Sequence, residues 1–212
     1  MLGIPRGGVP VAAAVAREIG APLDVVVAHK LGAPGQPELA IGAVAADGTV
    51  LIEPWGRELV GGDEAYLRRA AEDEITRARR REQALRRGRP AVDLRGRTAI
   101  VVDDGIATGA TMHVAVLAAK AAGATKVIVA SPVGAAESVA RLRSVADEVV
   151  VLATPEPFYA VGEFYLRFGQ VDDEEVAALL AAGARPAGHD AAPESGAPPQ
   201  AGPGRTAEEG QR

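Results

Sequence analysis

The feature that constrains this chain most is a run of four apolar residues, Ala99 to Val102, that ends directly in two adjacent carboxylates, Asp103 and Asp104. A loop rich in glycine and threonine, residues 105–111, follows, and then an alanine-rich segment, residues 112–123. A short apolar run that ends in a turn before a helical pattern predicts a buried parallel strand, a tight loop and a helix. Open α/β sheets bind ligands at the carboxyl ends of their strands, so this loop is predicted to form a binding site.

The residue types in the loop indicate what it binds. Gly105 and Gly109 permit a ligand to approach the backbone closely, and Thr108 and Thr111 add hydroxyl donors. The first amides of the following helix have no partner within the helix and favour an anion. The two aspartates suit hydroxyl groups or hydrated magnesium and would repel a phosphate. A sugar phosphate, with its diol on the acids and its phosphate in the loop, satisfies both halves.

Residues 99–111 resemble the phosphoribosyl pyrophosphate (PRPP) signature of type I phosphoribosyltransferases, with the double acid and the Ala-Thr-Gly-x-Thr loop in register. An ordinary turn between strand and helix is the alternative. The resemblance implies that Asp103 and Asp104 hold the ribose diol, directly or through Mg²⁺ and its water. Gly105 departs from the signature, where an aliphatic or small polar residue is commoner, and is expected to loosen the turn. The substrate-binding residues implied here are Gly105, Ile106, Ala107, Thr108, Gly109, Ala110 and Thr111.

The start of the chain repeats the order of strand, glycine-rich loop and helix that is predicted for residues 99–123. An apolar fragment, residues 1–4, precedes Pro5-Arg-Gly-Gly and a helical pattern over residues 11–20. Gly7 and Gly8 free the backbone to wrap an anion, and Arg6 offers a fork of donors. A structural turn with an exposed arginine is the alternative. In the family, the loop after the first core strand binds the pyrophosphate of PRPP, so the resemblance implies this role for Arg6, Gly7 and Gly8.

The resemblance extends over about residues 2–182. Family members normally carry a helix and a complete first strand before the position of Ile4. The sequence is therefore expected to lack the N-terminal helix and part of the first strand. Residues 1–182 are predicted to form the phosphoribosyltransferase domain, and residues 183–212, which are rich in Pro, Gly, Ala and charge, a disordered tail.

Residues 22–29 predict a second buried strand that delivers His29 and Lys30 to the same sheet edge. Glycines and prolines in residues 31–38 predict an irregular, mobile loop, and residues 39–45 and 50–52 predict strands around a turn. In phosphoribosyltransferases a flexible loop at this position closes over PRPP. The resemblance implies that Lys30 meets pyrophosphate oxygens, whereas a solvated lysine is the plain alternative.

A long helix is predicted from Asp63 to about Arg87, with an arginine-rich half over residues 77–89. This half could be a nucleic-acid patch or a solvated helix face with i,i+4 ion pairs. The lack of aromatic residues for base stacking favours the solvated face. The net charge of −5 also argues against bulk binding of nucleic acid.

Aromatic residues concentrate in residues 155–170, after predicted strands over residues 126–131 and 148–154. This segment resembles the C-terminal portion of a group of predicted bacterial phosphoribosyltransferases, in which a small variable hood covers the acceptor base. Phe158 and Tyr159 are the implied base-stacking residues. Docking of these rings on the core is the alternative. A short helix is predicted over residues 171–181.

These observations predict an α/β fold: a type I phosphoribosyltransferase-like parallel sheet flanked by helices, with a small hood. Cysteine is absent and no run is long enough to span a bilayer, which fits a cytoplasmic protein. The resemblance implies Mg²⁺-dependent transfer of 5-phosphoribosyl from PRPP to a nitrogen acceptor, a nucleobase, with release of pyrophosphate. The resemblance implies that PRPP and an acceptor base are the binding partners and that neither membranes nor nucleic acid is bound. A homodimer is compatible with it. The alternative is a non-catalytic sensor of PRPP or nucleotides on the same fold.

Overall fold

The computed structural model describes residues 1–183 of the chain. Within these residues, eight strands form two sheets, one parallel and one antiparallel. The strands are β1 Leu2–Gly3, β2 Asp24–Val25, β3 Ala28–Ala33, β4 Gln36–Ala45, β5 Val50–Ile52, β6 Thr98–Val102, β7 Lys126–Val133 and β8 Glu148–Ala153. The parallel sheet has the order β2-β1-β6-β7-β8, and the smaller antiparallel sheet has the order β3-β4-β5.

Helices cover both faces of the parallel sheet. They are α1 Gly8–Glu18, α2 Pro54–Leu59, α3 Glu64–Arg86, α4 Ala110–Ala121, α5 Ala136–Leu142 and α6 Asp173–Gly183, with a short 3₁₀ helix at Val161–Phe164. Successive residues of a strand point to opposite faces, so Val102 packs with α1, α3 and α6, whereas Val101 packs with α4 and α5. The predicted fold class is confirmed: a parallel sheet flanked by helices, with a small additional sheet.

The central strand β1 is short but is paired on both sides. Leu2 lies between Asp24 of β2 and Val101 of β6, and Gly3 lies between Val25 and Val102. Beyond the strand, the Ile4 amide donates to the Val102 carbonyl at 2.9 Å. This register brings the residues after β1 and the residues after β6 to one edge of the sheet.

The structure differs from the sequence prediction between residues 22 and 38. The predicted single strand over residues 22–29 is wrong, because Asp24 and Val25 pair in the parallel sheet while Ala28 already belongs to the antiparallel sheet. The predicted irregular loop over residues 31–38 is also wrong, because β3 and β4 continue to a tight turn at Pro34 and Gly35. Residues 36–39 of β4 are exposed and residues 41–45 are buried, whereas Leu31 and Ala33 of β3 are buried in a cluster with Leu67 of α3.

The long helix was predicted closely. Asp63 caps α3 by accepting a hydrogen bond from the Tyr66 amide at 2.9 Å, and the helix ends at Arg86. Residues 184–212, which hold almost all of the predicted tail, lie outside the described residues. Among residues 1–183, no helix is both long and apolar enough to cross a membrane.

Candidate functional site

Three chain segments meet at the carboxyl edge of the parallel sheet and line a cleft of about 520 Å³. They are the loop after β1, the acids after β6 and the start of β3. An adjoining pocket of about 180 Å³ shares Lys30, Asp103 and Thr111 with the cleft, so the two lie side by side. The predicted site residues that line one or both are Arg6, Gly7, Lys30, Asp103, Asp104, Gly105, Ile106, Ala107, Thr108, Gly109 and Thr111. Gly8 and Ala110 are buried beside it, at the first positions of α1 and α4.

The glycines after β1 bring their loop onto the two acids. A Cβ atom at Gly7 would overlap the carboxylate of Asp104, and one at Gly8 would lie 2.6 Å from the Val102 carbonyl oxygen and 2.9 Å from Asp103 Oδ1. At position 8 a side chain would meet the backbone, so that position requires glycine, whereas at position 7 a side chain would have to displace the Asp104 carboxylate. The sequence predicted that these glycines free the backbone to bind an anion. The structure adds that they allow the loop after β1 to contact the acids after β6.

The acids form a pair that disfavours its own ionisation. Burial raises the pKa of Asp103 well above its usual range, and the neighbouring charge of Asp104 adds to the rise. Burial also raises the pKa of Asp104. The Asp103 carboxylate is held in place, since its Oδ1 accepts a hydrogen bond from the Asp104 amide at 2.9 Å. A cation or hydroxyl donors in the cleft would therefore stabilise the charged pair.

The loop over residues 107–109 is held from behind by α5. Ser138 Oγ donates to the Ala107 carbonyl at 2.6 Å, and Arg141 Nη2 donates to the Thr108 carbonyl at 3.0 Å. In a planar trans peptide the N–H points opposite to the C=O, so the Thr108 and Gly109 amides point away from α5. Gly109 has a φ of +77°, and α4 begins at the next residue. The loop amides and the positive end of α4 together suit an anion.

Two residues of the aromatic segment contact the acid loop, and the sequence did not single them out. The Tyr165 hydroxyl donates to the Asp104 carbonyl at 2.6 Å, and a Cβ at Gly105 would overlap the Val161 side chain. Gly105 is therefore explained by the close approach of Val161 rather than by a loosened turn. Burial and the two nearby carboxylates raise the pKa of Tyr165, so its hydroxyl stays a donor at neutral pH.

The predicted base-stacking residues lie elsewhere in that segment. Phe158 stacks on Phe164 with ring centroids 5.2 Å apart, and Tyr159 is 79% exposed. Neither ring lines the cleft or the adjoining pocket. Their role toward an acceptor base stays a prediction.

Helix α3 adds Glu74 and Arg81 to the cleft lining, although the sequence indicated only a solvated face. His29 Nδ1 lies 3.1 Å from Glu74 Oε2 and so ties β3 to α3. A signal was present in the spacing, because Glu74 and Arg81 alternate with the buried Ala78 and Leu85 along one stripe of the helix. Charged residues in an apolar stripe mark either a buried ion pair or a site.

The fold and the site define a class of α/β protein in which a parallel sheet carries its candidate site at the carboxyl ends of the strands, here with a helix start and a double acid at that edge. The sequence model of the family described as "Phosphoribosyl transferase domain" matches residues 1–166. The chain belongs to this family.

Named relatives agree with this assignment. The chain is 48% identical over 185 residues to two Mycobacterium tuberculosis proteins, MT0597 and Rv0571c, whose names assign a phosphoribosyl transferase provisionally. The match covers 85% of this chain but 41% of each relative, so the chain spans about two fifths of their length. The crystal structure of TT1426 from Thermus thermophilus is similar, with 46% identity, a TM-score of 0.74 and coverage of 87% of each chain.

Proposed function

We propose that this protein transfers the 5-phosphoribosyl group of PRPP to a nitrogen of an acceptor, a nucleobase, and releases pyrophosphate. The observation that carries the proposal is the half-buried acid pair, which touches a glycine loop on one side and adjoins a braced loop at a helix start on the other. A ligand with a diol between two phosphate groups matches this order of subsites.

In this proposal Asp103 and Asp104 hold the ribose diol, directly or through Mg²⁺. The amides and hydroxyls of residues 107–111 hold the 5-phosphate. Arg6, Gly7, Gly8 and Lys30 hold the pyrophosphate. Carboxylates together with substrate phosphate oxygens are the donor set that Mg²⁺ takes in such sites, so the acid pair fits the ion. When bound, Mg²⁺ would neutralise charge on the pyrophosphate.

The reaction breaks the bond between ribose C1 and the pyrophosphate oxygen, and the bonding pair leaves with that oxygen. The acceptor nitrogen supplies the new pair to C1 from the opposite face, with inversion, and then loses its proton. Positive charge develops on the ribose and negative charge on the leaving group, so the cationic donors Arg6 and Lys30 would stabilise the transition state. The β3–β4 hairpin, which carries Lys30, is the element suited to exclude water from the cleft.

Release of pyrophosphate from PRPP, measured with Mg²⁺ across a panel of purine and pyrimidine bases, tests the proposal. We expect turnover with at least one base. Tight PRPP binding without turnover for any acceptor would instead support the non-catalytic sensor.

The Asp104→Asn variant tests the assignment of the acids. We expect its affinity for PRPP to fall about tenfold or more, because hydrogen bonds to a charged group contribute about 1.5–3 kcal/mol. Asp93→Asn is the matched control, since Asp93 is exposed and pairs with Arg95 away from the cleft. Unchanged PRPP affinity in Asp104→Asn would contradict the ribose assignment.

A further inference from the structure

Arg81 of α3 is a third cationic side chain in the cleft, besides Arg6 and Lys30. Its side chain is one third exposed, and Nη2 donates to Asp173 Oδ1 of α6 at 2.9 Å. Its Nε is buried and has no hydrogen-bond partner among residues 1–183. A buried donor without an acceptor costs about 1–3 kcal/mol, so an acceptor that reached this N–H would stabilise the side chain.

The helix geometry keeps Arg81 on the cleft side of α3. Ala78 and Leu85 lie three residues before and four residues after it, and both are buried in the same core cluster. Residues at these spacings share one face of a helix. The preceding residue, Arg80, is exposed, since it lies about 100° around the helix axis.

The charges around the cleft leave Arg81 the most available of the α3 groups. Glu74, the other charged α3 residue in the lining, already contacts His29 at 3.1 Å and Arg77 at 2.6 Å. Arg81 has one ionic partner among the described residues, Asp173, whose side chain is 56% exposed. A guanidinium has five donors in a planar fork, which matches an anion that presents several oxygens.

We propose that Arg81 binds the pyrophosphate group, both within PRPP and as the released product, and that Asp173 positions its guanidinium. This inference rests on the proposed function. It assigns a substrate contact to the arginine-rich helix, because Arg81 lines the same cleft as Arg6 and Gly7. The expected contact is a bidentate pair of N–H···O bonds from the Arg81 fork.

Binding measurements on the purified protein test the inference. Pyrophosphate with Mg²⁺ and, separately, ribose 5-phosphate are titrated by calorimetry into the wild type, Arg81→Gln and the control Arg80→Gln. In Arg81→Gln we expect affinity for pyrophosphate to fall at least tenfold, and affinity for ribose 5-phosphate to change less than twofold. Arg80→Gln should match the wild type for both ligands.

Two more variants separate binding from a structural tie between α3 and α6. Asp173→Asn removes the ion pair but keeps the cation, and Arg81→Lys keeps a positive charge without the fork. We expect Asp173→Asn to bind pyrophosphate within about threefold of the wild type, and Arg81→Lys to recover part of the lost affinity. Equal losses of melting temperature in Arg81→Gln and Asp173→Asn, with unchanged pyrophosphate affinity in both, would overturn the inference.

The wild-type titration distinguishes the two proposals. A wild type that binds neither PRPP nor pyrophosphate would overturn the proposed function and this inference together. A wild type that binds both ligands, with Arg81→Gln binding them equally well, would overturn only the role of Arg81.

Discussion

Gly7 lies directly against the carboxylate of Asp104, so that a side chain at position 7 would occupy the space of Asp104 Oδ2. This contact joins the loop after β1 to the loop after β6, the two neighbouring central strands of the sheet. The contact fixes the distance between the subsites assigned to pyrophosphate and to ribose. Substitutions at or near this contact should therefore lower the affinity for PRPP by more than the accompanying loss of folding stability would explain.

Replacing Gly7 with alanine should displace the Asp104 carboxylate. Moving the end of one side chain costs little folding free energy, but we expect PRPP affinity to fall about tenfold or more, because the carboxylate leaves its place in the site. Thermal unfolding and PRPP titration measure the two effects. Gly169→Ala is the control, because a Cβ there meets no atom within 4 Å. Equal effects of both variants on PRPP affinity would contradict the role of the contact.

The raised pKa of Asp103 predicts a pH-dependent stability difference between the wild type and Asp103→Asn. Below the ordinary carboxyl pKa, near 3.8, the folded and unfolded chains both hold the proton and no penalty exists. As the pH rises through the raised pKa, the folded state is penalised by about 1.4 kcal/mol for each unit of difference. The amide cannot ionise but keeps Oδ1 as acceptor for the Asp104 amide.

Asp103→Asn should therefore melt higher than the wild type at pH 7.5, by about 2–4 °C for each kcal/mol, and the difference should vanish near pH 4. Melting curves recorded with a chelator and without PRPP measure this. A variant that is less stable than the wild type at both pH values would refute the expectation.

Ser138→Ala should loosen the phosphate loop from behind. It removes the donor to the Ala107 carbonyl, which costs about 1 kcal/mol, and it should weaken ribose 5-phosphate binding about three- to tenfold. Pyrophosphate affinity should hold, because the other subsites are untouched. Ser144→Ala, which removes an exposed hydroxyl bonded to Arg141 of the same helix segment, is the control. A loss of pyrophosphate affinity as large as that for ribose 5-phosphate would argue against a local brace.

Tyr165→Phe should release the aromatic segment from the acid loop. The variant loses one hydrogen bond to the Asp104 carbonyl, about 0.5–1.5 kcal/mol, and we expect a rise of a few fold in KM for PRPP. Steady-state kinetics and thermal unfolding measure it. Tyr159→Phe is the matched control because it keeps the ring that is predicted to stack on a base and removes a hydroxyl from an exposed side chain. If the control raised KM as much as Tyr165→Phe, the hydrogen bond would not be the cause.

Much of the candidate site was predictable because its signals are local. A strand that runs into Asp103 and Asp104, then a glycine–threonine loop and a helix, encodes its own geometry within a short stretch of chain. The strand and the helix formed as predicted, with α4 beginning two residues earlier than its alanine-rich pattern. Local sequence also indicated the Asp63 cap of α3.

The hairpin of β3 and β4 was missed because its prolines and glycines are ordinarily signs of irregular backbone. Here Gly35, with a φ of +68°, makes the turn itself. Pro34 lies in the turn and Pro37 in the exposed half of β4. The break after Val25 was missed for another reason. A continuous valine run looks the same whether it stays in one sheet or passes from one sheet to the next.

The sequence by itself determined the strand, acid pair, loop and helix of residues 98–121, the glycine loop after β1 and the family resemblance, since each of these signals lies in a short stretch of chain. The tertiary structure alone decided that Gly7 meets Asp104, that Val161 and Tyr165 cover the acid loop, that α5 braces residues 107–108, and that Arg81 lines the cleft. The hydrogen bonds among these contacts join residues 31 to 61 positions apart, and nothing in a local pattern encodes which distant side chain fills a given space.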